Sequence, residues 1–225
     1  MTQHTSRSIK VERNNKTLRE LTLEKMRDAI LSGYFSPGQR LVERTLCEEL
    51  DVSRSIVREV LRHLETEGLV ERHGTSGPAV AKLTADKARQ IFEIRSLLEG
   101  HAARLCAMQA DSSTVNRLSE INQNIQQAFA QENYQRVLTH TTAFYEALFQ
   151  GCGMTLAWDI VKSLNARINL LRAVTIGAAG RRADAAREME AIIHAIRQGD
   201  ADAAEQASKD HVTTVASIAL AKLQG

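Results

Sequence analysis

The chain has 225 residues, of which 43% are hydrophobic and 25% are charged, and its 29 Lys and Arg nearly balance 27 Asp and Glu. This composition is typical of a globular protein and excludes a disordered chain or one that binds nucleic acid through net charge alone. No apolar run approaches the roughly 18 residues of a membrane span, and residues 1–16 lack the apolar core of a signal peptide. We therefore expect a cytoplasmic protein with no membrane contact, free cysteines and a flexible arm over residues 1–16.

The two prolines divide the chain, because both lie in its first eighty residues. Everything after Pro78 can form long helices without an obligatory break. The sequence therefore predicts one domain over residues 17–82 and a second, all-helical domain over residues 83–225.

Three short helices and a hairpin are predicted in the first domain. Apolar residues recur at helical spacing from Leu18 to Ile30 and stop at Gly33, and a second helix has Leu46 and Leu50 on one face. Ser53 is a suitable N-cap for a third helix, which ends at Gly68. The predicted hairpin has its tip at residues 73–77. This order of elements is that of a winged helix-turn-helix.

The third helix has two distinct faces. Its apolar stripe is Val57, Val60, Leu61 and Leu64, and its arginines fall on the opposite side. Short polar and arginine side chains in the first turns of a helix suit entry into the major groove, where serine meets phosphate and arginine binds guanine edges. The alternative is an ordinary solvated face, in which the arginines pair with Glu59 and Glu65.

Five short motifs resemble the GntR family of bacterial regulators. They are Ala29-Ile30-Leu31-Ser32-Gly33, Pro37-Gly38-Gln39-Arg40-Leu41, Leu50-Asp51-Val52-Ser53-Arg54, Val57-Arg58-Glu59-Val60-Leu61 and Glu67-Gly68-Leu69-Val70. The resemblance implies a transcription regulator that binds operator DNA. The residues implied to contact DNA are Arg44, Ser53, Arg54, Ser55, Arg58 and, in the wing, His73 and Gly74. Ile56 departs from the family, whose members often have proline there.

The second domain is predicted to be helical throughout, which makes the whole fold mainly α. We expect helices near 84–109, 113–131, 133–150, 154–177, 181–198 and 200–223, with glycines at several joints. Amphipathic helices without strands favour an antiparallel bundle of six or seven helices.

Two arginines fall on apolar stripes of this bundle. Arg95 lies among Ile91, Ile94 and Leu98, and Arg167 lies between Leu164 and Leu171. A buried guanidinium is costly unless an anion pairs with it. One alternative is an internal ion pair, in which Arg95 meets Glu99 or Glu93. The other is that one or both arginines hold the anionic group of a bound small molecule.

The segments Ile91-Phe92-Glu93-Ile94-Arg95 and Ala195-Ile196-Arg197-Gln198-Gly199-Asp200, together with His211, resemble the FCD effector domain of the FadR subfamily. Many FCD domains bind a divalent metal through one aspartate and three histidines. Those four positions fall here on Thr141, Tyr145, Met189 and His211. Thr, Tyr and Met are poor substitutes for these ligands. We therefore predict no metal and no other cofactor, and an effector pocket lined by these four residues with Arg95 and Arg167.

Two other histidines could in principle replace missing ligands. His140 lies near an apolar stripe, whereas His194 lies about 140° from Met189 on the helical wheel at 100° per residue. A single histidine on such a face is more often a hydrogen-bonded core residue than a metal ligand. The departure from the metal-binding pattern favours a larger or more apolar anion over the small hydroxy and keto acids implied by metal-binding relatives.

The resemblance implies a homodimer that binds a short palindrome, with the effector altering the arrangement of the two winged domains. The resemblance also implies a repressor. We do not expect an enzyme, because the sequence has no phosphate-binding loop, HExxH motif or nucleophile elbow. Turnover of a bound small molecule would favour an enzyme. A bundle filled entirely by side chains would favour an architectural DNA-binding protein without an effector.

Overall fold

The computed structural model describes residues 16–72, 77–109 and 111–224, and His73 and Gly74 lie outside the described residues. The prediction of a mainly helical protein with a winged helix-turn-helix and a helical bundle is confirmed. The elements in chain order are α1 Leu18–Leu31, α2 Glu43–Leu50, α3 Arg54–Glu67, β1 Val70–Arg72, β2 Pro78–Val80, α4 Ala85–Gln109, α5 Ser112–Ala130, α6 Tyr134–Gly151, α7 Thr155–Ser163, α8 Asn165–Ile176, α9 Arg181–Gln198 and α10 Ala201–Gln224.

Caps fix the ends of the N-terminal helices. Thr17 and Glu20 form a reciprocal capping box at the start of α1. The Ser53 side chain accepts a hydrogen bond from the backbone N–H of Ile56, and α3 ends at Gly68 in the left-handed conformation. The strands β1 and β2 pair antiparallel, with Val70 opposite Val80. These elements enclose a core of Leu23, Met26, Ile30, Leu41, Leu46, Val57, Val60, Leu61, Leu64 and Leu69.

The second domain is a bundle in which α4 packs along α10, and α5 packs against α6 and α9. Phe144 and Phe149 on α6 are fully buried in its core, as are Ile192 and Ile193 on α9. Over the described residues, no helix combines the length and apolar character that a membrane crossing needs.

The single helix expected over residues 154–177 is wrong. The chain bends at Leu164, whose backbone N–H bonds to the carbonyl of Val161 rather than continuing the α-helical pattern. Ser163 adds a side-chain hydrogen bond to the carbonyl of Ile160. The side chain of Asn165 accepts a hydrogen bond from Thr142 of α6. The break therefore separates α7 from α8, and α8 packs against α6.

The two domains share a packed contact. Leu138 of α6 is buried in the core of the winged domain, and Ala166, Leu170 and Ala173 of α8 pack against the same core. Gln135 of α6 donates a 2.5 Å hydrogen bond to Asp28 of α1. Helices α6 and α8 therefore form the wall of the bundle that faces the winged domain.

Candidate functional site

The N-terminal half of α3 forms an exposed polar surface. Ser53, Arg54, Ser55 and Arg58 are all exposed, while Val57 on the opposite side is buried. The side-chain oxygens of Ser53 and Ser55 lie 2.9 Å apart. Free N–H groups at a helix N-terminus and nearby hydroxyls suit a phosphate group. The structure thus brings four of the predicted DNA-contacting residues onto one surface.

The arginines on and beside this surface differ in whether they form an ion pair. Arg58 Nε donates a 2.8 Å hydrogen bond to Glu43 of α2, and Arg44 pairs with Glu48 on its own helix. Arg54 forms no ion pair within the described residues. The alternative pairing is not seen, because Glu59 pairs with Arg19 and Glu65 pairs with Arg72 instead.

The base of the wing adds a basic residue that we did not predict. Arg40 bridges to Ala79 of β2, and its guanidinium lies near Gly77 at the edge of the hairpin. Arg40 belongs to the motif Pro37 to Leu41. This motif could have pointed to Arg40 in the sequence, because the turn at Pro37 ends where Arg40 pairs with β2.

A cavity lies inside the helical domain, between α4, α5, α6, α8, α9 and α10. Its volume is about 50 Å³. A cavity needs roughly 10–15 Å³ to hold one water molecule, so this one has room for a small molecule. Its walls are mainly apolar, and its polar lining is Arg95, Thr141, Arg172, Thr175, Arg181 and His211.

Two of the three arginines at the cavity are paired with carboxylates. Arg95 forms two hydrogen bonds to Glu99, at 2.8 and 3.2 Å, and both side chains are fully buried. Arg181 forms two hydrogen bonds to Glu188, at 2.9 and 2.7 Å. Burial alone would raise the pKa of Glu188, but hydrogen bonds from His211 and Arg181 outweigh burial and lower it to about 2. Glu188 is therefore ionised, and each of these two arginines has a carboxylate partner.

The third arginine, Arg172, is bound only by neutral oxygens. It donates hydrogen bonds to Thr142 at 3.2 Å and to Asn169 at 3.0 Å, and it forms no ion pair within the described residues. Its guanidinium carbon lies 5.4 Å from the ring centroid of Tyr145. Burial, together with the charge of Arg95, lowers the pKa of Arg172 to about 10. The guanidinium remains charged at neutral pH, and its charge is uncompensated.

The four residues at the family's metal-ligand positions lie together. Thr141, Met189 and His211 line the cavity, and the Tyr145 ring centroid lies 6.4 Å from that of His211. Their chemistry does not fit a divalent metal. The Thr141 hydroxyl donates to the carbonyl of Val137, and burial raises the pKa of the Tyr145 phenol well above its usual range. His211 Nδ1 lies 2.7 Å from Glu188 Oε2.

The remaining predicted residues lie elsewhere. Arg167 does not line the cavity; its guanidinium lies against Gly68, where α3 ends. His140 is partly buried and His194 is exposed, and neither lines the cavity. Among the described residues, no three His, Cys, Asp or Glu side chains form a group that could hold a metal ion.

Sequence comparison identifies both parts of the chain. The profile described as "Bacterial regulatory proteins, gntR family" matches residues 18–80, and the profile described as "FCD domain" matches residues 90–214. The galactonate operon transcriptional repressor of Escherichia coli (strain K12) is 31% identical over 214 residues, which cover 84% of this chain and 89% of that protein. The HTH-type transcriptional repressor RspR of the same organism is 25% identical over 193 residues, covering 84% and 83% of the two chains.

Solved structures share the fold. The transcriptional regulator GntR from Rhodococcus sp. RHA1 superposes with a TM-score of 0.74 at 25% identity, covering 90% of this chain and 97% of that one. E. coli McbR/YncC also gives a TM-score of 0.74, at 19% identity, covering 94% of this chain and 100% of that one. The likeness to McbR/YncC concerns the fold alone.

Proposed function

The chain belongs to the GntR family of bacterial regulatory proteins, with an FCD domain after its DNA-binding domain, and on that premise we propose that it is a homodimeric repressor of the FadR subfamily. The domain over residues 17–82 binds a palindromic operator in the cytoplasm, and the domain over residues 83–225 binds a small organic anion that controls operator affinity. Two of its relatives are named as repressors, which supports the same sign of regulation here.

The exposed surface of α3 is the observation that supports operator recognition. Arg54 and Arg58 extend from the first turns of the helix on the side away from the core, next to a helix N-terminus that suits phosphate. We propose that these arginines bind base edges and that Arg44, Ser53 and Ser55 position the helix on the backbone. His73 and Gly74 are proposed to contact DNA from the wing.

Alanine substitution tests this assignment. The operator is first selected by the wild-type protein from a pool of random duplexes, and affinities are measured by fluorescence anisotropy at fixed salt. Arg54→Ala and Arg58→Ala are each expected to weaken operator binding at least fivefold, because a bidentate arginine–base contact contributes about 1–3 kcal/mol of discrimination. Arg182→Ala is the matched control, since Arg182 is an exposed arginine of α9 in the other domain.

Unfolding midpoints separate recognition from folding. The two variants are expected to unfold at the wild-type temperature, because neither side chain is buried. Unchanged sequence-specific binding in both variants would refute the assignment of α3 as the recognition helix.

The cavity supports control by an effector. Three guanidinium groups approach one mainly apolar cavity, and carboxylates neutralise only two of them. A low-dielectric cavity with excess positive charge favours an anionic ligand. The effector is held by protein side chains without a metal, and Arg95, Thr141, Tyr145, Met189 and His211 surround it. Arg167 acts from outside the cavity.

An exposed apolar surface supports the homodimer. Ile94, Leu97 and Met108 lie on one side of α4, and Leu156 and Ile160 lie on the adjoining α7. Leu97 is 68% exposed and Leu156 is 75% exposed. Exposed apolar side chains on adjoining helices are typical of an interface, and a twofold dimer would cover them with its own copy. We propose that this surface, here called the α4–α7 face, joins the two subunits.

A further inference from the structure

The ionisable groups around the cavity leave one positive charge. Arg95 is neutralised by Glu99, and Arg181 by Glu188. The His211 ring donates a hydrogen bond from Nδ1 to Glu188, the same carboxylate that pairs with Arg181. Arg172 alone keeps an unpaired charge among the described residues that line the cavity.

The position of this charge is specific. The guanidinium of Arg172 lies over the ring of Tyr145, one of the four positions at which FCD domains hold a metal, and it donates to Thr142, the neighbour of Thr141. Of the four positions only His211 offers a ligand that a divalent metal prefers, because the Thr141 hydroxyl donates to the carbonyl of Val137, the Tyr145 phenol keeps its proton and Met189 offers only a thioether. A protein cation thus lies beside the place where the family's metal would be held.

We propose that the Arg172 guanidinium replaces the metal ion and binds the carboxylate of a short, apolar monocarboxylate in this cavity. The proposal rests on the proposed effector function and names its ligand class. One uncompensated guanidinium matches one carboxylate, and the pair can form two parallel hydrogen bonds. A dicarboxylate would leave a second buried charge without a partner.

The walls and the volume of the cavity restrict the part of the ligand beyond its carboxylate. Ile125, Phe129, Val137, Met189 and Val215 offer no hydrogen bonds to further hydroxyl or keto groups. The cavity volume of about 50 Å³ suits a chain of a few carbon atoms. Phosphate, which is polar on all sides, does not match the apolar walls.

Calorimetric titration of the full chain with butyrate, butanamide and succinate tests the ligand class. The protein is treated with EDTA, and each titration is repeated with added Zn²⁺. We expect butyrate to bind in EDTA with no gain from Zn²⁺, and butanamide, its neutral isostere, and succinate to bind at least tenfold more weakly. A requirement for Zn²⁺, or equal affinity for butyrate and butanamide, would overturn the proposal.

Variants of Arg172 test the anchor. Arg172→Gln is expected to weaken butyrate binding at least tenfold and Arg172→Lys to retain part of it, while Arg182→Gln, at an exposed arginine, leaves it unchanged. Because the charge of Arg172 has no carboxylate partner, Arg172→Met is expected to raise the unfolding midpoint of the ligand-free protein. Unchanged butyrate affinity in Arg172→Gln would overturn the anchor.

Measurements of operator binding distinguish a failure of the monocarboxylate inference from a failure of the proposed function. Ligand-free Arg172→Gln is expected to bind the selected operator as tightly as the wild type does. If butyrate fails to bind the wild type, the monocarboxylate inference is overturned, whereas loss of operator binding in the wild type itself contradicts the proposed function.

Discussion

The guanidinium of Arg167 lies against Gly68, the glycine at which the proposed recognition helix ends. Gly68 has a φ of +75°, a conformation that favours glycine, and a Cβ at this position would meet the guanidinium. A cation at this end of a helix interacts favourably with the last carbonyl groups. Five residues further along α8, Arg172 lines the cavity. One short helix therefore contacts both the cavity and the end of α3.

This contact predicts that Arg167→Ala uncouples the effector from DNA binding. In the ligand-free state we expect operator affinity within twofold of wild type, because Arg167 lies outside the proposed DNA surface. The change in operator affinity caused by the effector is expected to shrink at least fivefold, since coupling free energies are typically 1–3 kcal/mol. Anisotropy titrations with and without effector measure both quantities.

The control for this prediction is Lys162→Ala, which removes an exposed cation in the last turn of α7. Lys162→Ala should retain the full effector response. A normal response in Arg167→Ala, with the effector still bound, would show that α8 does not transmit the change through Gly68.

The break at Leu164 explains why Arg172 was not predicted from the sequence. With one helix over residues 154–177, the apolar stripe runs through Leu164 and Leu171, and Arg167 falls at its centre. The helix is interrupted at Leu164, and Arg172 and Thr175 of α8 line the cavity. A bend produced by a 3₁₀-type hydrogen bond and a tertiary contact to Thr142 leaves no glycine or proline in the sequence to mark it.

The N-terminal domain was predictable because its signals are local. Ser53 caps α3, Gly68 ends it, and the stripe from Val57 to Leu64 is spaced as an isolated helix would require. The ion pairs of the helical bundle depend on tertiary packing instead. Glu188, which binds both Arg181 and His211, could not be recognised from spacing alone because His211 is on another helix. For Arg95 the sequence left two alternatives, an internal ion pair or a contact with an effector. The structure has the ion pair with Glu99, four residues further along the same helix.

That buried pair predicts a non-additive effect on stability. Glu99→Ala leaves the Arg95 guanidinium buried without a carboxylate, and the free energy of unfolding should fall by about 3–5 kcal/mol. The double variant Arg95→Met/Glu99→Leu removes both charges and should recover most of this loss. Urea unfolding followed by circular dichroism measures each value. The exposed pair of Asp86 and Arg89 provides the control, where Asp86→Ala should cost less than about 1 kcal/mol. A double variant no more stable than Glu99→Ala would contradict this.

The buried ring of His211 predicts a loss of stability in mild acid. Burial lowers its pKa below the ordinary 6.5, and it is surrounded by Glu188, Tyr145, Arg95 and Arg181. The unfolded chain therefore binds a proton as the pH falls through about 6.5, while the folded chain does not, so protonation favours unfolding. Glu188, with its pKa of about 2, stays ionised over this range and adds nothing to the slope.

The free energy of unfolding should accordingly fall by on the order of 1 kcal/mol between pH 7.5 and pH 5.5. His211→Gln removes this titration and should flatten the dependence, whereas His194→Gln, at an exposed position, should leave it unchanged. Urea unfolding curves at four pH values measure it. An equally steep dependence in His211→Gln would assign the proton uptake to other groups.

The α4–α7 face predicts the assembly state. Leu97→Glu and Leu156→Glu each place a charge in a surface that is apolar and exposed in one subunit. Burying an unpaired carboxylate in an interface is costly, so each variant should shift the protein from dimer to monomer at micromolar concentration. Light scattering during size-exclusion chromatography measures the mass. Tyr34→Glu, at a residue 68% exposed in the winged domain, is the control and should remain dimeric.

Operator binding should respond to the loss of the dimer. A monomer contacts one half-site, so affinity for the full palindrome should fall at least tenfold, while affinity for a single half-site is unchanged. This comparison separates lost assembly from a damaged recognition helix, which would weaken both. If Leu97→Glu and Leu156→Glu both stay dimeric, the subunits join through another surface, and the exposed leucines of α4 and α7 require a different partner.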